Sequence, residues 1–145
     1  KEGKTVKEIQ SKIDKNGINT STYFTIGNLE HLYRGGRLNK AEVVIGNALK
    51  AKPIVKASPI GSLKIQGIHL GKRKTIKEMA DLVLKDVDDK YPVQVSYTNN
   101  LDEAEFFKGK LLEANPNIDV RYSQIDYTLA CHCGPETIAV FYRTK

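Results

Sequence analysis

No stretch of this sequence is apolar for long enough to cross a membrane as a helix. The longest uncharged apolar run extends only from Tyr127 to Pro135, whereas a transmembrane helix needs about 20 such residues. The chain begins at Lys1 and lacks the basic, apolar and small-residue segments of a secretory signal peptide. We expect a domain without a membrane span that has been excised from a longer protein.

Cysteine is scarce, with only Cys131 and Cys133 among 145 residues. The pattern over residues 127–133 predicts a strand, which would place both thiols on one face. A disulfide ring closed over a single residue would be strained. Free thiols in a reducing compartment are therefore the favoured interpretation, and they indicate the cytoplasm.

Metal ligands are not grouped in the sequence. On a strand, His132 would point away from both neighbouring cysteines, and no fourth ligand cluster accompanies them. We expect no metal ion, no cofactor and no catalytic residue. The alternative hypothesis is a thiol-dependent enzyme in which Cys131 or Cys133 attacks and His132 is the base, which requires the histidine on the same side as the thiol.

Positive charge is present but not concentrated. The chain has 23 lysines and arginines against 17 acidic residues, for a net charge of +6. The lysines are scattered among carboxylates, and the one dense cluster, Lys72-Arg73-Lys74, is short. This distribution favours a solvated surface over a nucleic-acid site, and it leaves open a docking surface for an acidic partner protein.

The composition, 40% hydrophobic and 28% charged, is typical of one soluble domain, so residues 1–145 are expected to form a single domain. Apolar spacing and turn residues predict the elements, and the Ser/Thr-rich stretch before Phe24 is expected to be a connection. A capping box at Thr75–Glu78 marks one helix start. The predicted helices are 5–16, 29–34, 40–49, 75–87 and 102–114, and the predicted strands are 53–55, 63–67, 93–97, 118–122, 127–133 and 137–143.

This order of elements predicts an α/β (α+β) fold. Hairpin-length and helix-length connections both occur, so the sheet should be mixed, with helices packed mainly on one face. The strand over 137–143 is apolar on both faces and should be central.

Two glycine-containing turns have the chemistry of anion sites. Gly35 and Gly36 free the backbone just before Arg37, whose guanidinium suits a carboxylate or phosphate. His132 stands close before Gly134 and could donate to an anionic head group. The simpler alternatives are a helix C-cap followed by a surface arginine, and a hydrogen-bonded core histidine.

The same residues resemble a known family. The segments that carry the resemblance are 29–38, with its Gly-Gly-Arg, then 45–49, 52–55, 130–135 and 138–141. In this order they are similar to the motifs of the DegV proteins, over nearly the whole chain. The resemblance implies a C-terminal domain of a two-domain protein that binds a long-chain fatty acid and, in some members, hands it to a fatty acid kinase without being the catalyst.

Carried over by position, the resemblance also assigns roles. It implies that Arg37 and His132 bind the carboxylate, that Gly35, Gly36 and Gly134 form the head-group loop, and that Ile45, Leu49 and Ile54 line the acyl-chain tunnel. Two residues depart from the family pattern: Cys133 replaces a threonine and Glu136 a glycine. Glu136 would put a carboxylate beside the head group, where it could repel an anion or pair with a cation.

Overall fold

The computed structural model describes residues 3–38, 51–58 and 61–145. Within these ranges, six strands form one sheet in the order β3-β2-β1-β6-β4-β5. The strands are β1 (Thr20–Thr25), β2 (Ala51–Ala57), β3 (Leu63–Leu70), β4 (Val93–Tyr97), β5 (Val120–Gln124) and β6 (Ile138–Arg143). Only β4 and β5 run parallel, so the predicted mixed sheet is confirmed.

Five helices belong to the same described part of the chain. They are α1 (Val6–Ile18), α2 (Glu30–Arg34), α3 (Lys72–Leu84), α4 (Leu101–Ala114) and α5 (Tyr127–Cys133). None of them is long and apolar enough to span a bilayer. The helix predicted over 40–49 lies outside the described residues.

The two faces of the sheet are covered differently. Side chains of α3 and α4 join one large core cluster with strand residues such as Val95, Ile138 and Val140. The long core helices therefore share one face, as expected. The short helices α2 and α5 contribute Leu32 and Cys133 to a smaller cluster on the opposite face.

Strand β6 is central, between β1 and β4, as its two apolar faces predicted. Strand β1, however, was expected to be a connection, and that prediction is wrong. Its hydroxyl-bearing residues hide the period-two pattern, because Ser21 and Thr25 are themselves buried together with Tyr23 on one face. A strand with neighbours on both edges and cover on both faces does not show a clear apolar–polar alternation.

The segment predicted as a strand over 127–133 is helix α5. The carboxylate of Asp126 caps its N-terminus by accepting a hydrogen bond of 3.0 Å from the Leu129 amide. Gly134, with φ of 77°, ends it. Since neighbours two apart on a helix point in nearly opposite directions, Cys131 is exposed and Cys133 is buried. Both are free thiols, but they do not share a face.

Helix α3 also begins earlier than predicted. Gly71 precedes its first residue with φ of 83°, so Lys72 lies at the N-terminus and Thr75 within the first turn. The Thr75 hydroxyl donates to the Gly71 carbonyl at 2.9 Å instead of capping the helix. At α1, by contrast, Thr5 and Glu8 form a capping box, in which the Thr5 amide donates to the Glu8 carboxylate at 2.8 Å.

Candidate functional site

Helices α2 and α5 meet through two reciprocal glycine–histidine contacts. A Cβ on Gly35 would lie 2.6 Å from Nδ1 of His132, and a Cβ on Gly134 would overlap the ring of His31. Each helix therefore places a histidine against a glycine of the other. This interlock fixes where the His132 imidazole lies.

Gly35 and Gly36, which follow α2, are each suited to glycine for a different structural reason. Gly35 has an ordinary φ of −75° and is required by the close approach of His132. Gly36 has φ of 71°, which reverses the chain so that the Arg37 amide donates to the Leu32 carbonyl at 2.8 Å. The pair thus ends the helix and returns Arg37 toward α5.

A cavity of about 290 Å³ lies beside this interlock, and both Arg37 and His132 line it. The residues predicted to bind an anion, separated by 95 positions in sequence, are thus brought to one site. Arg37 is exposed, and its guanidinium also donates to the Gly35 carbonyl. Most of the remaining wall is apolar, including Phe24, Leu32, Leu63, Ile125, Leu129 and Phe141.

The floor of the cavity is a row of side chains that crosses four strands. Thr22 pairs with Phe141 of β6 on one side and with Ala57 of β2 on the other, and Ala57 pairs with Leu63 of β3. All four line the cavity. Adjacent strands lie about 4.8 Å apart, so the row is about 14 Å long.

The polar and apolar ends of the cavity are separated along the sheet. Thr25, the last residue of β1, pairs with Ile138, the first of β6, so α2 and α5 flank this end. The floor row at Thr22 lies three residues, or about 10 Å, further along β1. Cationic and imidazole donors therefore stand at one end of an apolar groove.

The turn after α5 is tied down by hydrogen bonds. The Thr137 hydroxyl donates to the carbonyls of Cys133, at 3.2 Å, and Gly134, at 2.9 Å. The Thr137 amide donates to Thr98 at 3.1 Å and the Glu136 amide to Asn99 at 2.9 Å. These bonds fix the C-terminal end of the helix that carries His132.

Glu136 pairs with cations, which settles the two alternatives raised by its sequence position. Its carboxylate lies 2.9 Å from Nζ of Lys72 and 3.3 Å from Nζ of Lys52. These hydrogen bonds, chiefly that from Lys72, lower the pKa of Glu136, and Glu136 in turn raises the pKa of Lys72. Glu136 is not among the described residues that line the cavity, so it is not an unpaired charge beside Arg37 and His132.

Ile54, predicted from the sequence to line an acyl-chain tunnel, does not line this cavity. It is fully buried in the cluster with α3 and α4, on the other face of the sheet, whereas the next residue, Val55, faces the cavity side. Ile45 and Leu49 lie outside the described residues. The wall residues that the sequence prediction missed, such as Thr22, Phe24 and Ala57, lie on β1 and β2, and β1 has no clear apolar–polar alternation that would have marked them.

The Cys133 thiol lacks the activation that the enzyme hypothesis requires. Burial raises the pKa of the Cys133 thiol, and its Sγ donates to the Leu129 carbonyl at 3.1 Å within its own helix. An activated nucleophile needs a lowered pKa and a base within reach. Among the described residues, no group of three or more His, Cys, Asp or Glu side chains could hold a metal ion.

The basic cluster at the start of α3 is engaged within the fold. Lys72 contacts Glu136 and also Glu103, the latter at 3.0 Å. The Arg73 guanidinium lies 5.0 Å from the centre of the Phe106 ring. Two of the three cations thus have partners within the fold.

Comparison with known proteins decides the family. A family model described as "Uncharacterised protein, DegV family" matches residues 1–145. This chain belongs to the DegV family. A DegV domain-containing protein of Streptococcus pyogenes serotype M3 is 36% identical over 140 residues, which cover 96% of this chain and 48% of that relative.

Solved DegV structures share the fold. The fatty acid binding DegV family protein of Streptococcus agalactiae matches with a TM-score of 0.87 and 25% identity, over 99% of this chain and 51% of that protein. The fatty acid kinase (Fak) B3 protein of Streptococcus pneumoniae, loaded with linoleic acid, matches with a TM-score of 0.90 and 18% identity, over 99% and 51%. This DegV chain therefore spans about half the length of the relatives it matches.

Proposed function

We propose that this DegV chain forms one wall of a long-chain fatty acid carrier. The observation that carries the proposal is the apolar groove with Arg37 and His132 at one end, because a fatty acid has one anionic group on a long apolar chain. The guanidinium and the imidazole would hydrogen-bond the carboxylate, and the acyl chain would cross the floor row from Phe141 toward Leu63. The S. agalactiae relative, described as fatty acid binding, supports this assignment.

The chain is proposed to be the C-terminal half of a two-domain protein. A cavity of about 290 Å³ lies at the lower edge of the range of roughly 300–1,000 Å³ found for enclosed ligand pockets. The described wall therefore covers only part of a long-chain acid. The other half of the longer DegV relatives would supply the opposite wall and further donors, within a cytoplasmic protein whose thiols stay reduced.

We propose that the protein carries the bound acid and does not catalyse its conversion. Arg37 is exposed beside the cavity, so a bound carboxylate would be close to the protein surface and accessible to an enzyme. The partner would be a fatty acid kinase that phosphorylates the carboxyl group, which the name and linoleic acid content of the S. pneumoniae neighbour support. Phosphorylation of a bound acid by a bacterial fatty acid kinase with ATP, compared with the free acid, tests this step.

Lipid binding itself is tested by native mass spectrometry and by titration with oleate. The protein purified from bacteria should carry a fatty acid, and the delipidated chain should bind oleate more tightly than methyl oleate, which lacks the negative charge. Purification without any lipid, together with no measurable oleate binding by the two-domain protein, would contradict the proposal.

A further inference from the structure

Glu136 has a backbone conformation that suits glycine. Among the described residues, it is the only residue other than glycine with a positive φ, at 59°. A side chain in the left-handed region is strained, so glycine would be the easier residue at this position. The Glu136 side chain makes an interaction that glycine cannot make.

That interaction is a bridge between separate elements of the fold. One carboxylate oxygen of Glu136 contacts Lys72 at the start of α3, and the other contacts Lys52 of β2. Lys52 also donates to the Gly27 carbonyl at 2.8 Å, and its side chain is only 17% exposed. Lys72 continues the network to Glu103 of α4.

The bridge is attached to the turn that follows His132. The Thr137 hydroxyl donates to the carbonyls of Cys133 and Gly134, so the turn is hydrogen-bonded to the end of α5. Gly27 lies tightly against the same turn, since a Cβ there would be 3.0 Å from the Pro135 carbonyl and 3.1 Å from a Glu136 oxygen. The ion pairs thus connect α5 to β2 and α3.

We propose that Glu136 is a positioning residue that holds His132 at the head-group end of the groove. Its two ion pairs, with Lys52 and Lys72, are called the clamp below. The proposal rests on the function proposed above for His132. Glu136 does not touch the ligand in this scheme. It acts by fixing the turn through which α5 is joined to β6.

A purely electrostatic effect of Glu136 on the bound carboxylate predicts the opposite change in oleate affinity from the clamp, so the proposal can be tested. Removing the negative charge of Glu136 makes the site more positive and, by Coulomb attraction alone, would strengthen oleate binding. The clamp predicts weaker binding, because a neutral amide cannot hold two ammonium groups. The sign of the change in Glu136→Gln therefore separates the two explanations.

The experiment compares Glu136→Gln, Glu136→Gly and Lys72→Met in the full chain. Glycine suits the positive φ, so Glu136→Gly retains the fold even if the amide variant does not. Glu113→Gln is the matched control, because Glu113 makes an exposed ion pair with Lys110 within α4, away from the turn. Oleate and methyl oleate affinities are measured together with the imidazole NMR signal of His132 without ligand, with His69 as the internal reference.

The clamp predicts that each of the three variants weakens oleate binding about three- to tenfold, changes methyl oleate binding little and shifts the His132 signal. Glu113→Gln should change none of these. Unchanged or stronger oleate binding with an unmoved His132 signal would overturn the proposal, and so would equal losses for oleate and methyl oleate. If the unmodified chain and its two-domain parent bind no oleate but His132 still shifts, the lipid function fails while the positioning role stands.

Discussion

Gly35 and His132 are in contact across the junction of α2 and α5, with no room for a methyl group between them. The backbone of Gly35 is unstrained, at φ of −75°, so the position selects glycine for its size and not for its conformation. The identity of residue 35 therefore determines where the His132 imidazole can lie.

Gly35→Ala should displace His132 and weaken oleate binding. A methyl group forced into a packed site costs about 1–3 kcal/mol, either as lost stability or as an imidazole moved from its place. The matched control is Gly109→Ala, because Gly109 lies within α4 and a Cβ added there would have no neighbour within 4 Å. That change should raise stability by about 0.5–1 kcal/mol. Urea unfolding and oleate titration of both variants check the prediction, and equal behaviour of the two would contradict it.

Arg37→Ala and His132→Ala should each weaken carboxylate binding by about 1–3 kcal/mol, the usual loss when a hydrogen bond to a charged group is removed. Arg121→Ala is the control, because Arg121 is an exposed arginine paired with Asp119 at 2.8 Å outside the cavity. Oleate titration of the two-domain protein measures the change. Full affinity in both site variants would refute the carboxylate assignment.

The sequence singled out Arg37 and His132, which line one cavity in the structure, but it did not indicate the groove beside them. The glycines near Arg37 and His132 mark sharp turns, and the two side chains are hydrogen-bond donors for an anion. Such local features can be recognised from a single sequence. The floor residues Thr22 and Ala57 could not be recognised in this way. They lie side by side only because of the strand order and register, which cannot be derived from the sequence of either strand alone.

The error at α5 has a physical origin too. Residues 127–133 form a short, mostly apolar run, and such runs do not distinguish a strand from a buried helix by period. Asp126, three residues before Leu129, was the helix-start signal in the sequence. The strand prediction put His132 on the wrong side of the chain relative to Cys133, whereas both line the cavity.

Ala57→Phe should shorten the preferred acyl chain. Ala57 lies in the floor row between Thr22 and Leu63, two strands from β6, so a phenyl ring there would occupy the space that the proposed path gives to the distal methylenes. Affinity for palmitate should fall by about tenfold or more, while that for decanoate should change little. Ala114→Phe, at the exposed end of α4, is the control. Equal losses for both acids would argue against this path for the chain.

The two cysteines should differ in reactivity toward N-ethylmaleimide. Cys131 is exposed, whereas Cys133 is buried and burial raises its thiol pKa, so fewer thiolates are present at a given pH. In Cys131→Ser, labelling should be slow until urea is added, while Cys133→Ser should label rapidly in the folded state. Intact mass measured over time checks both variants. Rapid labelling of Cys133 in the native chain would instead restore the thiol-enzyme hypothesis.

The clamp at Glu136 should make stability depend on acid pH. Because Lys72, with Lys52, lowers the pKa of Glu136 in the folded state, the ion pairs contribute stability above the pKa of the unfolded chain, about 4.3. That contribution is lost as the pH falls through the lower, folded-state pKa. The Glu136 side chain is 41% exposed, so solvent screening limits the effect to about 0.5–1 kcal/mol. Urea unfolding at pH 7 should show Glu136→Gln less stable than the unmodified chain, and at pH 3 the difference should shrink toward zero. A difference that stays constant between the two pH values would mean that the Glu136 charge does not stabilise the fold.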